Sequence, residues 1–471
     1  MHPPSEPTGR VHPTRDDPVV AALAEGVGGP AGSRLAPHRW WTPVRVLLAL
    51  TALAFALGML QKSPCFEETW SNGDQRYSQM CYSDVPYLYT GRGLAELSWP
   101  YTDDEQTRGR HPVMEYPVGI AYAAWGAAWV THWIAGSPDI EPRFKMPVEE
   151  LFTDESLERE IGLYVVVTTI ALGLATLLAT WFLTGVNPRR PWDAAGFAVA
   201  PVLVLSGLVN WDLYAVALVA GALWAWARGR PVLTGVMIGL GTATKLYPLF
   251  LLGGILVICL RRRGFADLLR VVAAAAAAWL LVNLPALLTG PAQWKVFWTF
   301  NSDRGADLGS WWLVAQQASG TTIGATLINQ WSLVIFAIWC LAVLVLGLLA
   351  PSTPRLAQLG FLIVAGFLLM NKVYSPQFVL WLLPLAVLAR PRWRDLLIWQ
   401  AGEVFYFAAV WWYLGGFLAP GGGGDAGFYW LAIVLRLVAQ LYLVTVVARD
   451  VLRPAYDVVE REPPRRMRLL S

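Results

Sequence analysis

The sequence predicts an all-α, polytopic membrane protein with about 12 membrane helices and a large first outer loop. Hydrophobic residues make up 56% of the 471 residues and charged residues only 15%, which is not the composition of a soluble domain. Many apolar runs have the length and the lack of charge of a membrane-spanning helix. Short arginine-rich loops separate these runs, as cytoplasmic loops do in such proteins.

The two ends of the chain differ from its apolar middle. Residues 1–40 are rich in proline, glycine and alanine and show no periodicity, so a disordered cytoplasmic tail is expected there. The first apolar run begins near Trp41, too late for a cleavable signal peptide. Residues 41–448 are expected to form one membrane domain, and residues 449–471 a second cytoplasmic tail.

Residues 61–160 are expected to form an outer region after a first membrane helix, because they carry 17 acidic and 8 basic residues. Their apolar stretch 117–135 is expected to be an interfacial or re-entrant helix, the alternative being a crossing that leaves 136–160 in the cytoplasm. Cys65 and Cys81 are expected to form a disulfide if the region faces an oxidising compartment; the alternative is two unpaired thiols.

The remaining helices pair into hairpins with arginine-rich inner ends and polar outer tips. One hairpin, 232–260, offers only about 14 residues per arm, fewer than the roughly 20 of a full crossing, which predicts a re-entrant hairpin or a thinned bilayer. The arginines lie at 189/190, 228/230, 261–263, 355, 390/392/394 and 449/453. The outer tips are 210–212, 244–248, 290–330, 371–376 and 421–424.

Two of the chain's five lysines lie within its most apolar stretches, whereas arginine occurs 31 times. Lys245 and Lys372 are each followed two positions later by a tyrosine, Tyr247 and Tyr374. A charge between apolar runs is costly unless it faces protein or water and has a partner. The repeated pattern favours two cations that bind an anionic group at the membrane surface, the alternative being that each side chain snorkels at a helix end.

Asp84 is the candidate general base of the outer region. It lies between Tyr82 and Tyr87, where partial burial among aromatic rings can tune the pKa of a carboxyl. The alternative is a solvated surface carboxylate. The predicted topology places it on the same side as Lys245 and Lys372, and cations there would stabilise a phosphate leaving group.

Further polar residues near these positions are expected to bind substrate. The tip around Asn210 and Asp212 lines a donor cavity or caps a helix. The sequence has no phosphate-binding glycine loop and no metal-ligand spacing, so no nucleotide donor, metal, cofactor or nucleic-acid partner is expected. The substrate-binding candidates are Tyr82, Tyr87, Glu115, Tyr116, Asn210, Asp212, Asn371 and Gln377.

Five motifs follow one another along the chain. They are Asp84, Glu115-Tyr116-Pro117, Asn210-Trp211-Asp212, Thr242 to Pro248, and Asn371 to Gln377. In this order they resemble the motifs of the GT-C polytopic glycosyltransferases, and within them of glycosyltransferase family 87, the actinobacterial mannosyltransferases that use polyprenol-phosphate-mannose. The resemblance covers roughly residues 42–448. Two departures, Val118 in place of the family's commoner second proline and the acidic insert 136–160, concern the acceptor more than the reaction.

The resemblance implies a hexosyltransferase with a GT-C-like bundle, Asp84 as catalytic base and Lys245 at the donor phosphate. It would move a hexose, with mannose expected, from a polyprenyl-phosphate donor to a hydroxyl of a glycolipid, glycan or protein. The site would face outward from a bacterial plasma membrane, with both termini cytoplasmic. The alternative is a transporter or flippase for a lipid-linked or anionic envelope precursor, which would use the same lysines between bundles but has no need of the outer region.

Overall fold

The computed structural model describes residues 40–67, 70, 73–418 and 426–460, and every regular element in these ranges is helical. The chain forms two compact units, Met1–Val46 and Leu47–Ser471. Of the first unit, residues 40–46 are described, and they include the beginning of the first helix. The expected disordered tail lies outside the described residues apart from Trp40, and so does the glycine-rich tip at 421–424.

The α-helices are numbered in chain order. They are α1 (Pro43–Glu67), α2 (Gln75–Ser78), α3 (Asp84–Gly91), α4 (Glu105–Arg110), α5 (Val118–Ile134), α6 (Val148–Leu151), α7 (Glu155–Val186), α8 (Ala195–Ala198), α9 (Pro201–Ser206), α10 (Asp212–Ala227), α11 (Pro231–Thr244), α12 (Leu251–Arg262), α13 (Phe265–Thr289), α14 (Pro291–Asp303), α15 (Trp311–Ser319), α16 (Ala325–Leu349), α17 (Leu356–Met370), α18 (Val379–Ala389), α19 (Trp393–Leu414) and α20 (Ala426–Leu452). Short 3₁₀ turns lie at Arg143–Lys145, Pro191–Ala194, Tyr247–Phe250, Pro376–Phe378 and Pro454–Tyr456.

The described helices confirm an all-helical architecture, and the long apolar ones indicate a membrane-embedded protein. Five of them, α1, α7, α13, α16 and α20, are long and apolar enough to cross a membrane. The expected count of about 12 crossings stays a prediction. The hairpin of α11 and α12 has arms of 14 and 12 residues, so both are as short as the sequence indicated.

Small residues bring α11 and α13 into close contact. A Cβ atom added at Gly235 would lie 2.3 Å from the carbonyl oxygen of Val271, and one at Gly239 would lie 2.3 Å from that of Ala275. Glycines spaced four apart let two helix backbones approach in this way. The run of alanines at 273–278 therefore provides a flat face for α11, whose last residue directly precedes Lys245.

The arginine-rich loops lie together at the end of the bundle opposite Lys245. Arg261 donates to carbonyl oxygens at the end of α16, including that of Gly347 at 2.7 Å. Arg355 pairs with Asp457 at 2.8 Å, and Arg390 pairs with Asp450 at 2.6 Å. Asp450 and Asp457 are both buried, so residues after 448 also pack against the bundle, and the domain boundary at 448 stays a prediction.

Candidate functional site

The loop that carries Asp84 is fixed at both of its ends. A disulfide joins Cys65, in the last turn of α1, to Cys81, with 5.7 Å between the Cα atoms. Ser83 caps helix α3 by accepting a hydrogen bond from the backbone of Val85. The backbone N–H of Asp84 donates to the carbonyl of Val209 at 2.8 Å. Asp84 is therefore held, partly buried, against the turn that precedes α10.

Tyr116 links this loop to α11. Its hydroxyl donates to Oδ2 of Asp84 at 2.7 Å and accepts from Nδ2 of Asn210 at 3.3 Å. The start of α5 can lie against the end of α11 because residue 119 is glycine: a Cβ atom there would lie 2.7 Å from Oγ1 of Thr244. This close approach brings Tyr116 beside Lys245, whose ammonium lies 4.4 Å from the centre of the tyrosine ring.

Lys245 forms a buried ion pair with Asp212. The ammonium nitrogen lies 2.7 Å from Oδ1, and both side chains are at least nine-tenths buried. Trp381 of α18 donates its indole N–H to the other carboxylate oxygen at 2.9 Å. Asn210 accepts from the backbone N–H of Asp212, the first residue of α10, and its side-chain amide also donates to Tyr116.

Five predicted site residues thus form one connected group, which we call the Asp84–Lys245 cluster: Asp84, Tyr116, Asn210, Asp212 and Lys245. Burial raises the pKa of the Asp84 carboxyl above its ordinary value. Hydrogen bonds from Tyr116 and Tyr82 and the charge of Lys245 lower it in part, while the charge of Asp212 raises it. A carboxylate whose pKa is raised in this way is a better general base near neutral pH.

A narrow cleft of about 20 Å³ adjoins the cluster. Tyr116 forms part of its wall, and so does Leu246, which directly follows Lys245 in the chain. The rest of the lining is mostly apolar and aromatic, which suits the stacking of a sugar face or the burial of a lipid chain. The other lining residues are Tyr101, Met114, Pro117, Val118, Thr242, Ala243, Trp279, Asn283, Gln293, Trp294, Phe297 and Trp298.

Other predicted residues lie around the cluster, and one of them contacts Asp84. Tyr82 hydrogen-bonds Asp84 and stacks on Tyr87, with ring centres 5.5 Å apart. Tyr247 stacks on Trp381 at 4.7 Å, so it supports the indole that holds Asp212. Glu115 pairs with Arg92 at 2.6 Å instead of contacting Asp84 or Lys245.

The structure does not bring Lys372 into the cluster. Its ammonium donates to Oδ1 of Asn329 at 2.6 Å and to the carbonyl of Ser302 at 3.2 Å. The reason lies in the backbone, because the tip pairs with the loop after α14: Asp307 N–H donates to the carbonyl of Lys372 at 2.8 Å. This pairing fixes the tip on residues of α14 and α16, none of which contacts Lys245.

The other candidates of this tip also have contacts of their own. The Tyr374 hydroxyl donates to Glu403 of α19 at 2.9 Å, and the Arg436 guanidinium lies 3.7 Å from the centre of its ring. Asn371 donates to the carbonyl of Val373 and so shapes the turn. Gln377 is buried in the following 3₁₀ turn. These contacts hold the tip together, and among the described residues the hydrogen bonds of Tyr374 and Asn371 do not reach the Asp84–Lys245 cluster.

Sequence reasoning missed two residues beside the cluster. Lys62, in α1, is 4% exposed and donates to the carbonyl of Tyr82 at 2.9 Å, close enough to interact electrostatically with Asp84. A lysine within an apolar helix is rare, and this was a signal for Lys62. Lys62 was nevertheless not predicted, because it lacks the Lys-x-Tyr pattern that Lys245 and Lys372 share. Trp381 gave no comparable signal, because the chain has 25 tryptophans.

The family model of glycosyltransferase family 87 matches residues 157–371. The match contains Asn210, Asp212 and Lys245, whereas Asp84 and Tyr116 precede it. No curated protein matches the chain significantly. The match indicates a glycosyltransferase and gives no support to the transporter alternative.

The described helices indicate a membrane-embedded, all-helical protein, and the family match indicates a glycosyltransferase. The family that it resembles is glycosyltransferase family 87, as the sequence motifs predicted.

Proposed function

We propose that this protein transfers a hexose, mannose in the first instance, from a polyprenyl-phosphate donor to an acceptor hydroxyl. The acceptor is a glycolipid, glycan or protein on the outer face of a bacterial plasma membrane. The observation that carries the proposal is the Asp84–Lys245 cluster, in which a carboxyl with a raised pKa and a buried ammonium are both in contact with Tyr116 beside an aromatic cleft.

In the proposed reaction, the Asp84 carboxylate takes the proton of the acceptor hydroxyl. The acceptor oxygen forms a bond to the anomeric carbon as the bond from that carbon to the phosphate oxygen breaks. The configuration inverts, and the polyprenyl phosphate leaves with the bonding electron pair. Negative charge therefore grows on the phosphate, where a nearby cation stabilises the transition state most strongly in a site that excludes water.

Lys245 is the cation that we assign to the donor phosphate. Asp212 and Trp381 orient it, since the carboxylate that pairs with Lys245 is itself held by the indole N–H. The adjoining cleft is narrow, so it must widen to admit the sugar or the first part of the isoprenoid chain against Trp279, Trp294 and Trp298. Lys372 has no role in this step, because its contacts are with other elements.

The test is transfer of labelled mannose from polyprenyl-phosphate mannose by the purified protein in liposomes. Asp84→Asn keeps a similar shape but removes the base, so activity should fall by about 10² to 10⁴. The matched control is Asp103→Asn, at an exposed carboxylate of the same outer region, and it should keep wild-type activity.

Full activity of Asp84→Asn would remove Asp84 as the base. Wild-type transfer from another polyprenyl-phosphate hexose, but not from the mannose donor, would overturn the choice of sugar and leave the base assignment standing.

A further inference from the structure

The buried ammonium of Lys372 has no part in the Asp84–Lys245 cluster. Its side chain is 8% exposed. Two of its three N–H bonds are taken by neutral oxygens, those of Ser302 and Asn329. Among the described residues, no carboxylate lies within ion-pair distance of it. Lys245 differs in this respect, because Asp212 already compensates its charge.

The charged groups nearest to Lys372 do not neutralise it. Arg304 is a second cation, and it is already paired with Asp307. Asp303 is exposed, so water screens its charge. Burial and the charge of Arg304 lower the pKa of Lys372, and the charge of Asp303 raises it only in part. A buried cation with only neutral acceptors is a favourable place for an anionic ligand.

Lys372 also stands at the mouth of a separate apolar crevice of about 190 Å³ between α16 and α17. Phe336 and Phe367 line it and pack on Phe250, and Leu333 at its edge is 68% exposed. Helix α16 is the least buried of the five long apolar helices, with 11% of its apolar window covered. A surface of this kind on a membrane helix faces lipid, so the crevice opens toward acyl or isoprenoid chains.

We propose that the Lys372 crevice is a second lipid-phosphate site, separate from the donor phosphate at Lys245. The ammonium of Lys372 binds a phosphate group, and the attached chain lies along Leu333, Phe336, Phe367 and Met370. The ligand class is a phosphate carried on an apolar chain, which either a membrane phospholipid or a polyprenyl phosphate provides. The site does not depend on the transfer reaction proposed above.

The experiment uses the full chain, stripped of lipid in a maltoside detergent that contains no phosphate. Two photoreactive probes carry the same diazirine-bearing chains: phosphatidylglycerol and diacylglycerol, which lacks the phosphate. Mass spectrometry locates the labelled peptides. Phosphatidylglycerol should label residues 329–336 or 367–372, and Lys372→Met should reduce this labelling about tenfold, to the level of diacylglycerol.

Two further variants keep the result interpretable. Lys372→Arg retains the positive charge and should retain the labelling. Lys295→Met removes an exposed lysine of α14 and should change nothing. Displacement by a lower concentration of unlabelled polyprenyl phosphate than of unlabelled phosphatidylglycerol identifies a substrate lipid, and the reverse order identifies a membrane phospholipid.

Equal labelling by the two probes would overturn the proposal. So would undiminished labelling of a Lys372→Met variant that melts at the wild-type temperature. Neither outcome depends on sugar transfer, so failure of the second site and failure of the proposed reaction are distinguishable.

Discussion

Asp84 shows how a single side chain acquires its chemistry from its neighbours. Burial alone would favour the protonated acid, which cannot act as a base. Hydrogen bonds from Tyr116 and Tyr82, together with the charge of Lys245, oppose that effect. The balance leaves a carboxylate whose pKa is above the ordinary value, and its ionisation therefore depends on contacts that can be removed one at a time.

Removing the Tyr116 hydroxyl should raise the pKa of Asp84 further. The hydrogen bond stabilises the carboxylate, so Tyr116→Phe favours the protonated acid and lowers the ionised fraction at any given pH. The acid limb of the kcat/KM profile should therefore move to higher pH. Rates of mannosyl transfer measured across pH give this limb directly.

The control for this prediction is Tyr122→Phe, since the Tyr122 hydroxyl accepts from the backbone of Ala286 and does not contact Asp84. Its acid limb should coincide with that of the wild type. A Tyr116→Phe profile that kept the wild-type limb would show that another group sets the acid limb.

The buried ion pair of Lys245 and Asp212 predicts that a double variant regains thermal stability without regaining donor binding. Either single change, Lys245→Met or Asp212→Asn, leaves one buried group unpaired, and loss of one partner of such a pair typically costs about 3–5 kcal/mol. The double variant should recover much of that loss, because no unpaired charge remains. Thermal melting of the purified variants measures this coupling.

The double variant should nevertheless keep the weak donor binding of Lys245→Met, seen as a raised KM for the lipid donor. A double variant that recovers donor binding along with stability would mean that Lys245 has only a structural role.

At the scale of elements, the site depends on how closely α11 approaches its neighbours. Gly239 sets its distance from α13, and Gly119 sets the distance between α5 and the end of α11. The short arms of the α11–α12 hairpin place the turn 245–250 at the level of the loop that carries Asp84. Lys245 and Tyr116 are neighbours because α11 packs closely against α13 at Gly239 and against α5 at Gly119, where glycine has no side chain to separate the helices.

Gly239→Val should therefore disturb the site from a distance. Its Cβ atom would lie 2.3 Å from the carbonyl oxygen of Ala275, so α11 and α13 must separate. Overpacking of this kind typically costs about 1–3 kcal/mol, and activity should fall together with the melting temperature. Gly126→Ala is the matched control, since a Cβ atom there meets nothing within 4 Å.

A Gly239→Val variant that kept both wild-type stability and wild-type activity would show that the close approach of α11 and α13 is not needed to position Lys245.

At the scale of the whole molecule, the two ends of the bundle have opposite characters. One end gathers the arginines, whose partners include buried Asp450 and Asp457. The other end holds Asp84, Lys245 and Lys372. The distribution of arginine predicts that the arginine-rich end lies in the cytoplasm and that the site faces outward, and this orientation stays a prediction.

Single-cysteine labelling tests that orientation. In a background where Cys259 and Cys340 are replaced by alanine, an impermeant maleimide should label Ser137→Cys in intact cells. It should label Arg392→Cys, an exposed position at the arginine-rich end, only after the membrane is opened. The reverse pattern would place the site in the cytoplasm, and labelling of Ser137→Cys from the inside alone would mean that α5 crosses the membrane.

Much of the candidate site was predictable, because a charged or polar side chain between apolar helices costs free energy unless it has a partner. A lysine in an apolar hairpin and polar residues at helix ends indicate function by their energetic cost alone. The grouping of those residues was less predictable. Lys245 and Lys372 share a local pattern, yet one contacts Asp212 and the other Asn329. Local sequence does not encode which loops pair, and the pairing of the 371–376 tip with the loop at 307–308 separated the two lysines.

The sequence by itself determined the helical membrane architecture, the arginine-rich end and the residue types of the site, because the transfer energies of apolar and charged side chains act locally along the chain. Only the tertiary structure decided which of these residues meet. Glycine contacts between helices, the disulfide at Cys81 and the backbone pairing of distant loops set those distances, and such contacts join residues far apart in sequence. Asp84 and Lys245 thus belong to one cluster, while Lys372 stands at a crevice of its own.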